Sequence, residues 1–449
     1  MKGVRGRPAS AGPTAGAAQA IARVSAARAA AFEILRLVGE GKGHSDELLH
    51  GARTAGLSAE DRNLATALVM GVLRWQIALD ARIGGLLARP GQRLAEPVAI
   101  ALRVGAFQLL HMDRIPDHAA LSESVEICRA AGEPHAAGMV NAVLRKVVDG
   151  RAELAMGDAG RSGESAGEFA ERLGHPAWLV ERWVNAYGRQ AAMAICQYGQ
   201  REPEHGGMFV AYAEMTGEDV VLMDDGSRLV AEIAAAATPV VEGRVAKVWD
   251  CCAAPGGKTL VLARRLEGAE ILASDVSARR MGQMAARLRR YAFATGVRTA
   301  VMDAAEVGGE EQRFDLILCD VPCSGTGTLA RNPEIRHRLR PEEFARQAER
   351  QRAILSGARG RLAEGGRLVY ATCSLEAEEN ERVVESVSGE TGVRRMPVGP
   401  LLAKLVETGV LRGEVGAMLI DSAVRDGALR TLPGMHGCDG FFAVVLERS

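Results

Sequence analysis

The chain has 449 residues, 47% hydrophobic and 25% charged, with a net charge of -1 and aromatics at 4%. Roughly three domains of about 150 residues fit that length, and a near-zero net charge excludes a global basic field that would gather nucleic acid, so any such surface is local. Few aromatics argue against base stacking as a main mode of contact with any nucleic acid, and no run of about 18 uncharged apolar residues suggests a membrane-spanning helix. The first acid is Glu33, after Lys2, Arg5, Arg7, Arg23 and Arg28 in an Ala/Gly-rich tract. Residues 1–25 therefore read as a disordered basic arm, although a transit peptide has a similar composition.

Residues 26–150 read as all-helical. AARAAAFEILRLV, AEDRNLATALVMGVLRWQIALDARIGGLL, EPVAIALRVGAFQLLHM and AAGMVNAVLRKVV repeat apolar residues every three or four positions. Ser58, with Asp61 three residues on, marks the start of the second helix. Residues 151–168, rich in Gly, Ser and charge, have a linker's composition. Residues 169–240 read as a small α/β region: a helix bearing Trp178, Trp183 and Tyr187, expected in the core, and strand-like MFVAYAEM and VVLMDD. From 241 to 449 strands and helices alternate. VAKVWD, EILASD, RTAVMD, FDLILCD, RLVYAT and the terminal GFFAVVLER read as strands of a mainly parallel, Rossmann-like sheet.

In VWDCCAAPGGKT a strand enters a glycine loop and a helix begins near Lys258, so backbone N–H groups and a helix N-terminus face any ligand there. A phosphate-binding P-loop would need glycine five positions before its GK dipeptide, where Cys252 stands, and the dinucleotide pattern G-x-G-x-x-G is absent. Asp275 ends the next strand 18 residues beyond Gly257, the interval at which an acid meets ribose hydroxyls; Asp303 and Asp320 end the following two. Each alone reads equally as a strand-end turn or a helix cap. Together with the glycine loop they outline a nucleoside-binding crevice.

The eight cysteines form no C-x-x-C pair, so no zinc site, other metal site or disulfide framework is expected, and a reducing cytoplasm fits. Cys128, Cys196, Cys251 and Cys319 read as small buried hydrophobes. Cys323, in CDVPCSGTGTLARNPEIR, and Cys373, in VYATCSLEAEENE, lie in polar loops after successive strands and would meet at one sheet rim. A thiolate there could add to C6 of a cytosine and make C5 nucleophilic toward a methyl sulfonium.

CAAPGGKT, DVPCSGTGTLARNPEIR and ATCSLEAEENE resemble the RNA cytosine-C5 methyltransferases of the Sun/Fmu/NOL family. Within it, the helical run with LVMGVLRW and GMVNAVLRKVV resembles the NusB-like N-terminal domain of the bacterial 16S rRNA enzymes, and the likeness extends over about 26–449. The resemblance implies a multidomain protein: an all-α NusB-like RNA-binding domain, a small α/β region and a Rossmann-like methyltransferase domain. It implies S-adenosyl-L-methionine, held by Cys252, Ala253, Ala254, Pro255, Gly256, Gly257 and Lys258 with Asp275, Asp303 and Asp320. It further implies that Cys373 is the nucleophile, that Cys323 serves product release and that Asp320 faces N3 of the cytosine. The sequence departs from the family at Ala211, Tyr212 and Ala213, where Arg-Val-Asn is usual, and at Met223, since the usual Gln-Asp appears here as Met223 and Asp224.

Nine arginines lie in residues 331–361, and Arg331 and Arg336, nearest the Cys323 loop, are the expected RNA phosphate contacts. The expected partner is RNA, specifically 16S rRNA, without an obligate protein partner. A target base in structured RNA would flip out to reach a thiol. A tRNA cytosine-C5 methyltransferase would share this chemistry. A non-catalytic antitermination-like RNA-binding protein would leave the catalytic loops idle. A DNA cytosine methyltransferase would use Cys323 and have no need of Cys373.

Overall fold

The computed structural model describes residues 24–89, 91–152, 163–203, 206–210, 223–306, 312–388 and 392–449. Most of the expected basic arm, the middle of the linker, the strand-like runs over 211–222 and the departure at Ala211, Tyr212 and Ala213 lie outside these residues. The chain forms two compact units, residues 1–189 with 332–334, and residues 190–331 with 335–449.

The first unit is helical. Its main helices are Ala26–Gly39, Ala59–Leu86, Glu96–His111, Asp117–Ala130 and Ala137–Asp149, followed by Ala166–Arg172 and Ala177–Tyr187. Ser58 caps Ala59–Leu86 by accepting from the Asp61 N–H at 3.0 Å, satisfying a donor that the first turn leaves free. That helix is long and apolar enough to cross a membrane by length and hydropathy, yet Leu68, Val69, Val72, Leu73, Leu79 and Ile83 are buried in the helical core. Two glycines let helices approach closely: a Cβ at Gly71 would meet the Phe107 ring at 1.9 Å, and one at Gly105 would meet Leu144 at 2.5 Å. Trp183 is buried, as its apolar helix face predicts.

The second unit is built on a nine-stranded sheet: β1 (Lys247–Asp250), β2 (Glu270–Asp275), β3 (Arg298–Val301), β4 (Phe314–Asp320), β5 (Leu362–Thr372), β6 (Val393–Met396), β7 (Val424–Arg425), β8 (Ala428–Arg430) and β9 (Phe442–Arg448). The order is β3-β2-β1-β4-β5-β9-β8-β7, with β6 also pairing β9. Strands β1 to β5 are parallel and β9 is antiparallel to β5. Alternation along each strand divides the core between two faces. Val248, Leu316, Leu318, Val369 and Val445 belong to one cluster, and Trp249, Ile317, Cys319, Tyr370 and Val444 to the other. Chain order reverses between β1 and β4, and in open α/β sheets ligands bind beyond the carboxyl ends of the strands at such a switch point.

One local expectation is corrected. Asp224 and Asp225 do not end a strand; they open the helix Asp225–Ala237, with Asp224 Oδ1 accepting from the N–H groups of Gly226 (2.8 Å) and Ser227 (3.1 Å). An Asp that reads as a strand end serves equally well as a helix cap.

Candidate active site at the carboxyl ends of the sheet

The glycine loop leaves β1 at the switch point. Gly256 takes φ +95°, a left-handed conformation that favours glycine, and starts the helix Gly257–Arg265. A Cβ there would also lie 2.9 Å from Met284. The Ala253 N–H donates to the Ser274 carbonyl at 2.8 Å, which ties the loop to β2. Met223 reaches over the loop, within 3.4 Å of where a Gly257 Cβ would stand.

Acidic groups gather along this edge. Asp275 Oδ1 accepts from the Ser277 N–H at 2.9 Å, and its other oxygen lies 3.3 Å from Arg280. Asp303, two residues past β3, accepts from the Ala305 N–H at 2.9 Å. Asp320, the last residue of β4, pairs with Lys258 Nζ at 2.7 Å. Lys258 also donates to Ser227 Oγ at 2.8 Å. Burial disfavours its charge, but Asp320, with Cys373 and Asp250 nearby, outweighs burial and raises the ammonium above its ordinary value.

Asp250, which the sequence reading passed over, is 1% exposed. Its Oδ2 accepts from Thr259 Oγ1 at 2.6 Å, while Oδ1 has no hydrogen-bond partner. Burial raises its carboxyl to about 7, opposed by the Thr259 bond and reinforced by Asp320. Its signal in the sequence was an acid closing the strand directly before the glycine loop.

The two expected catalytic cysteines meet. Cys323 follows β4, Cys373 follows β5, and their Sγ atoms lie 3.3 Å apart, both half-buried. The loops are stitched together: the Gly327 N–H donates to the Cys373 carbonyl at 2.9 Å, and the Leu375 N–H to Thr326 Oγ1 at 2.9 Å. Gly327 has no room for a side chain, since a Cβ would lie 2.2 Å from the Gly440 carbonyl oxygen and 2.8 Å from that of Cys373. The contact with Cys373, followed by burial, pushes the Cys323 thiol well up. Cys251 and Cys319, read as buried hydrophobes, form a second close pair at 3.3 Å inside the core, and Cys252 beside them is half-buried. Among the described residues no group of His, Cys, Asp and Glu is arranged to hold a metal ion.

The arginines expected to meet RNA are corrected. Arg336 is 2% exposed, and its guanidinium donates to the carbonyls of Gly199 and Leu329, each at 3.1 Å. Arg331 joins Asp439 (2.7 Å) and Asp224 (2.9 Å). Both arginines are occupied as ties within the fold, because their segment turns inward after the Cys323 loop. Spacing along the chain does not separate a buried arginine from an exposed one.

This topology, with a glycine loop at the switch point and an antiparallel strand beyond β5, defines a Rossmann-like methyltransferase domain accompanied by a helical domain. Residues 240–447 match the 16S rRNA methyltransferase RsmB/F family, and residues 25–149 match the NusB family. The chain is 31% identical to ribosomal RNA small subunit methyltransferase B of Xanthomonas campestris, over 96% of this chain and 99% of that one. It is 32% identical to the protein of the same name from Citrobacter koseri (87% and 91% covered), and 29% identical to a probable one from Bacillus subtilis (93% and 98%). The crystal structure of PH0851 shares the fold, with a TM-score of 0.70 at 22% identity over 94% of this chain and 98% of that one. The chain thus belongs to the RsmB/F family and is an RNA methyltransferase.

Proposed function

We propose that this protein transfers a methyl group from S-adenosyl-L-methionine to C5 of a cytidine in 16S rRNA, in the cytoplasm, through a covalent bond between Cys373 and C6. The observation that carries this reading is the pair of half-buried thiols 3.3 Å apart, beside the Asp320–Lys258 pair, at the switch point of the sheet.

The residues around the glycine loop fit the methyl donor. The loop from Cys252 to Lys258 leads into a helix N-terminus, and Gly256 and Gly257 add no side chains of their own beside it. Asp275 and Asp303 offer carboxylates at the ends of the next two strands, suited to ribose hydroxyls and base edges. The unpaired oxygen of buried Asp250 suits a ligand that brings a donor or a positive charge. Bound S-adenosylmethionine supplies an electrophilic methyl group.

Cytosine C5 is a poor nucleophile until a thiolate adds to C6. Cys373 provides that thiolate, and the bond electrons shift toward N3. N3 takes a proton from water as the electrons arrive, and Asp320, hydrogen-bonded to the Lys258 ammonium, faces N3 and accepts from the new N3–H. Once C5 has taken the methyl group and S-adenosylhomocysteine is left, the C5 proton departs to a base, the C6–S bond breaks, Cys373 leaves as thiolate and N3 returns its proton to water; Cys323 assists this last stage. The relatives named for the small ribosomal subunit favour 16S rRNA as substrate.

Bisulfite sequencing of rRNA and tRNA from a strain lacking this gene tests the reading. One 16S cytidine should lose its methyl mark and regain it when the wild-type protein is restored. A lost tRNA mark with intact 16S rRNA would overturn the substrate, and no lost cytosine mark in either would overturn the chemistry.

A further inference from the structure

The side chain that joins the two cysteine loops belongs to neither. Glu379 lies in the turn before the helix Glu381–Ser388 and is 0% exposed. Its Oε1 accepts from the Ser324 N–H at 2.8 Å and from the Gln351 amide at 3.2 Å. Its Oε2 accepts from the hydroxyls of both Ser324 and Ser374. Ser324 directly follows Cys323 and Ser374 directly follows Cys373. Gln351 also donates to the carbonyl of Pro322, the residue before Cys323, at 2.8 Å. Tyr370, on β5, donates its hydroxyl to the Glu379 carbonyl at 2.5 Å and so anchors the turn.

We infer that Glu379 is a positioning residue that gives the two thiols different jobs: it fixes Cys323 against Cys373 through Ser324 and Ser374 and sets a carboxylate beside Cys323. The inference rests on the cysteine-adduct reading above. Two sulfurs 3.3 Å apart do not both ionise readily, because like charges at that distance repel. One proton is shared, and the charges around the pair decide which sulfur keeps it. The groups facing the two thiols differ. Cys323 is next to Glu379, whose negative charge favours the neutral thiol. Cys373 lies instead in the field of the Lys258 ammonium. Burial shifts the Glu379 carboxyl up, but the Ser324, Ser374 and Gln351 donors favour its ionised form. The arrangement leaves Cys373 free to attack while Cys323 retains its proton.

The test is competitive alkylation of the full-length protein with iodoacetamide, mapped by peptide mass spectrometry. In wild type Cys373 should react about tenfold or more faster than Cys323, one unit of thiol acidity being a factor of about ten in thiolate. In Glu379→Gln, which keeps the size and one acceptor but loses the charge, the two rates should converge to within about threefold. Ser324→Ala, which keeps the carboxylate but cuts one tie, should give an intermediate ratio and covers the case in which Glu379→Gln does not fold. With RNA, Glu379→Gln should slow adduct formation while leaving KM for RNA unchanged. An unchanged alkylation ratio in a natively melting Glu379→Gln protein overturns the inference. Alkylation needs neither RNA nor methyl donor, so failure of wild type to form any RNA adduct would instead overturn the cysteine-adduct reading.

Discussion

Asp250 is buried with one oxygen unpaired, and burial raises its carboxyl to about 7. A raised carboxyl stabilises the fold fully below its ordinary unfolded value, and that contribution is lost as pH rises through about 7. A cationic ligand reverses the preference by favouring the ionised form. Affinity for S-adenosylmethionine should therefore tighten several-fold from about pH 6 to about pH 8, with a proton released on binding. Asp250→Asn should flatten this slope in calorimetry; an equal slope in both proteins would remove Asp250 from the site.

Arg331 makes a second prediction. It is the shared cation of Asp224 and Asp439, and burial followed by repulsion from Asp224 already raises Asp439 to about 7. Arg331→Ala leaves two buried carboxyls facing each other and should cost about 3–5 kcal/mol of stability. Thermal melting checks this: a native midpoint combined with weakened RNA binding would restore the phosphate contact expected from sequence. The glycine loop, Asp275, Asp303, Asp320 and both cysteines were legible because strand-end loops of open sheets concentrate polar residues at one edge. Asp250 and Glu379 were not, since their importance comes from burial and from partners distant in sequence. Glu379 did carry a faint signal as one of several acids, Glu376, Glu378, Glu379 and Glu381, that follow Leu375 after Thr-Cys-Ser, which a solvated helix start would also produce.

Among the elements, the long strands were readable and the short edge strands were not. EILASD and FDLILCD coincide with β2 and β4, because buried parallel strands are nearly continuous apolar runs. VRRM, VR and ALR, which form β6, β7 and β8, are two to four residues long and carry arginine, leaving no period to detect. Pairing with β9 decides β6 and β8, and pairing with β8 decides β7. Close backbone approach is equally hard to read from sequence. Gly327 sits against the carbonyls of Gly440 and Cys373, so Gly327→Ala must displace the loop carrying Cys323, one of the two thiols proposed to act. A shift of about 1 Å at a reacting group costs about a hundredfold in rate, and kcat should fall by that order with cofactor affinity preserved. Retained kcat would mean the thiol spacing tolerates movement. In the helical unit, Gly71→Ala drives a methyl into the Phe107 ring and should destabilise by about 1–3 kcal/mol, read as a lower melting midpoint. An unchanged midpoint would contradict the close helix packing.

At the scale of the whole molecule, two compact units carry the family's two matched segments, 25–149 and 240–447. We propose that the helical unit selects the RNA and the sheet unit performs the chemistry. Helices Ala166–Arg172 and Ala177–Tyr187 fall within the first unit, so a protein beginning at Gln190 removes that unit more cleanly than one beginning near 169. It should keep its methyl donor but lose discrimination between substrate and non-substrate RNA; equal selectivity would refute the division. Two thiols 3.3 Å apart are assigned separate roles, and trapping of the RNA adduct on denaturing gels separates them. Cys373→Ala should form no covalent RNA species and no methylated product, whereas Cys323→Ala should accumulate a protein–RNA species that resolves slowly. A stable adduct in Cys373→Ala that vanishes in Cys323→Ala would reverse the two roles and make Cys323 the nucleophile.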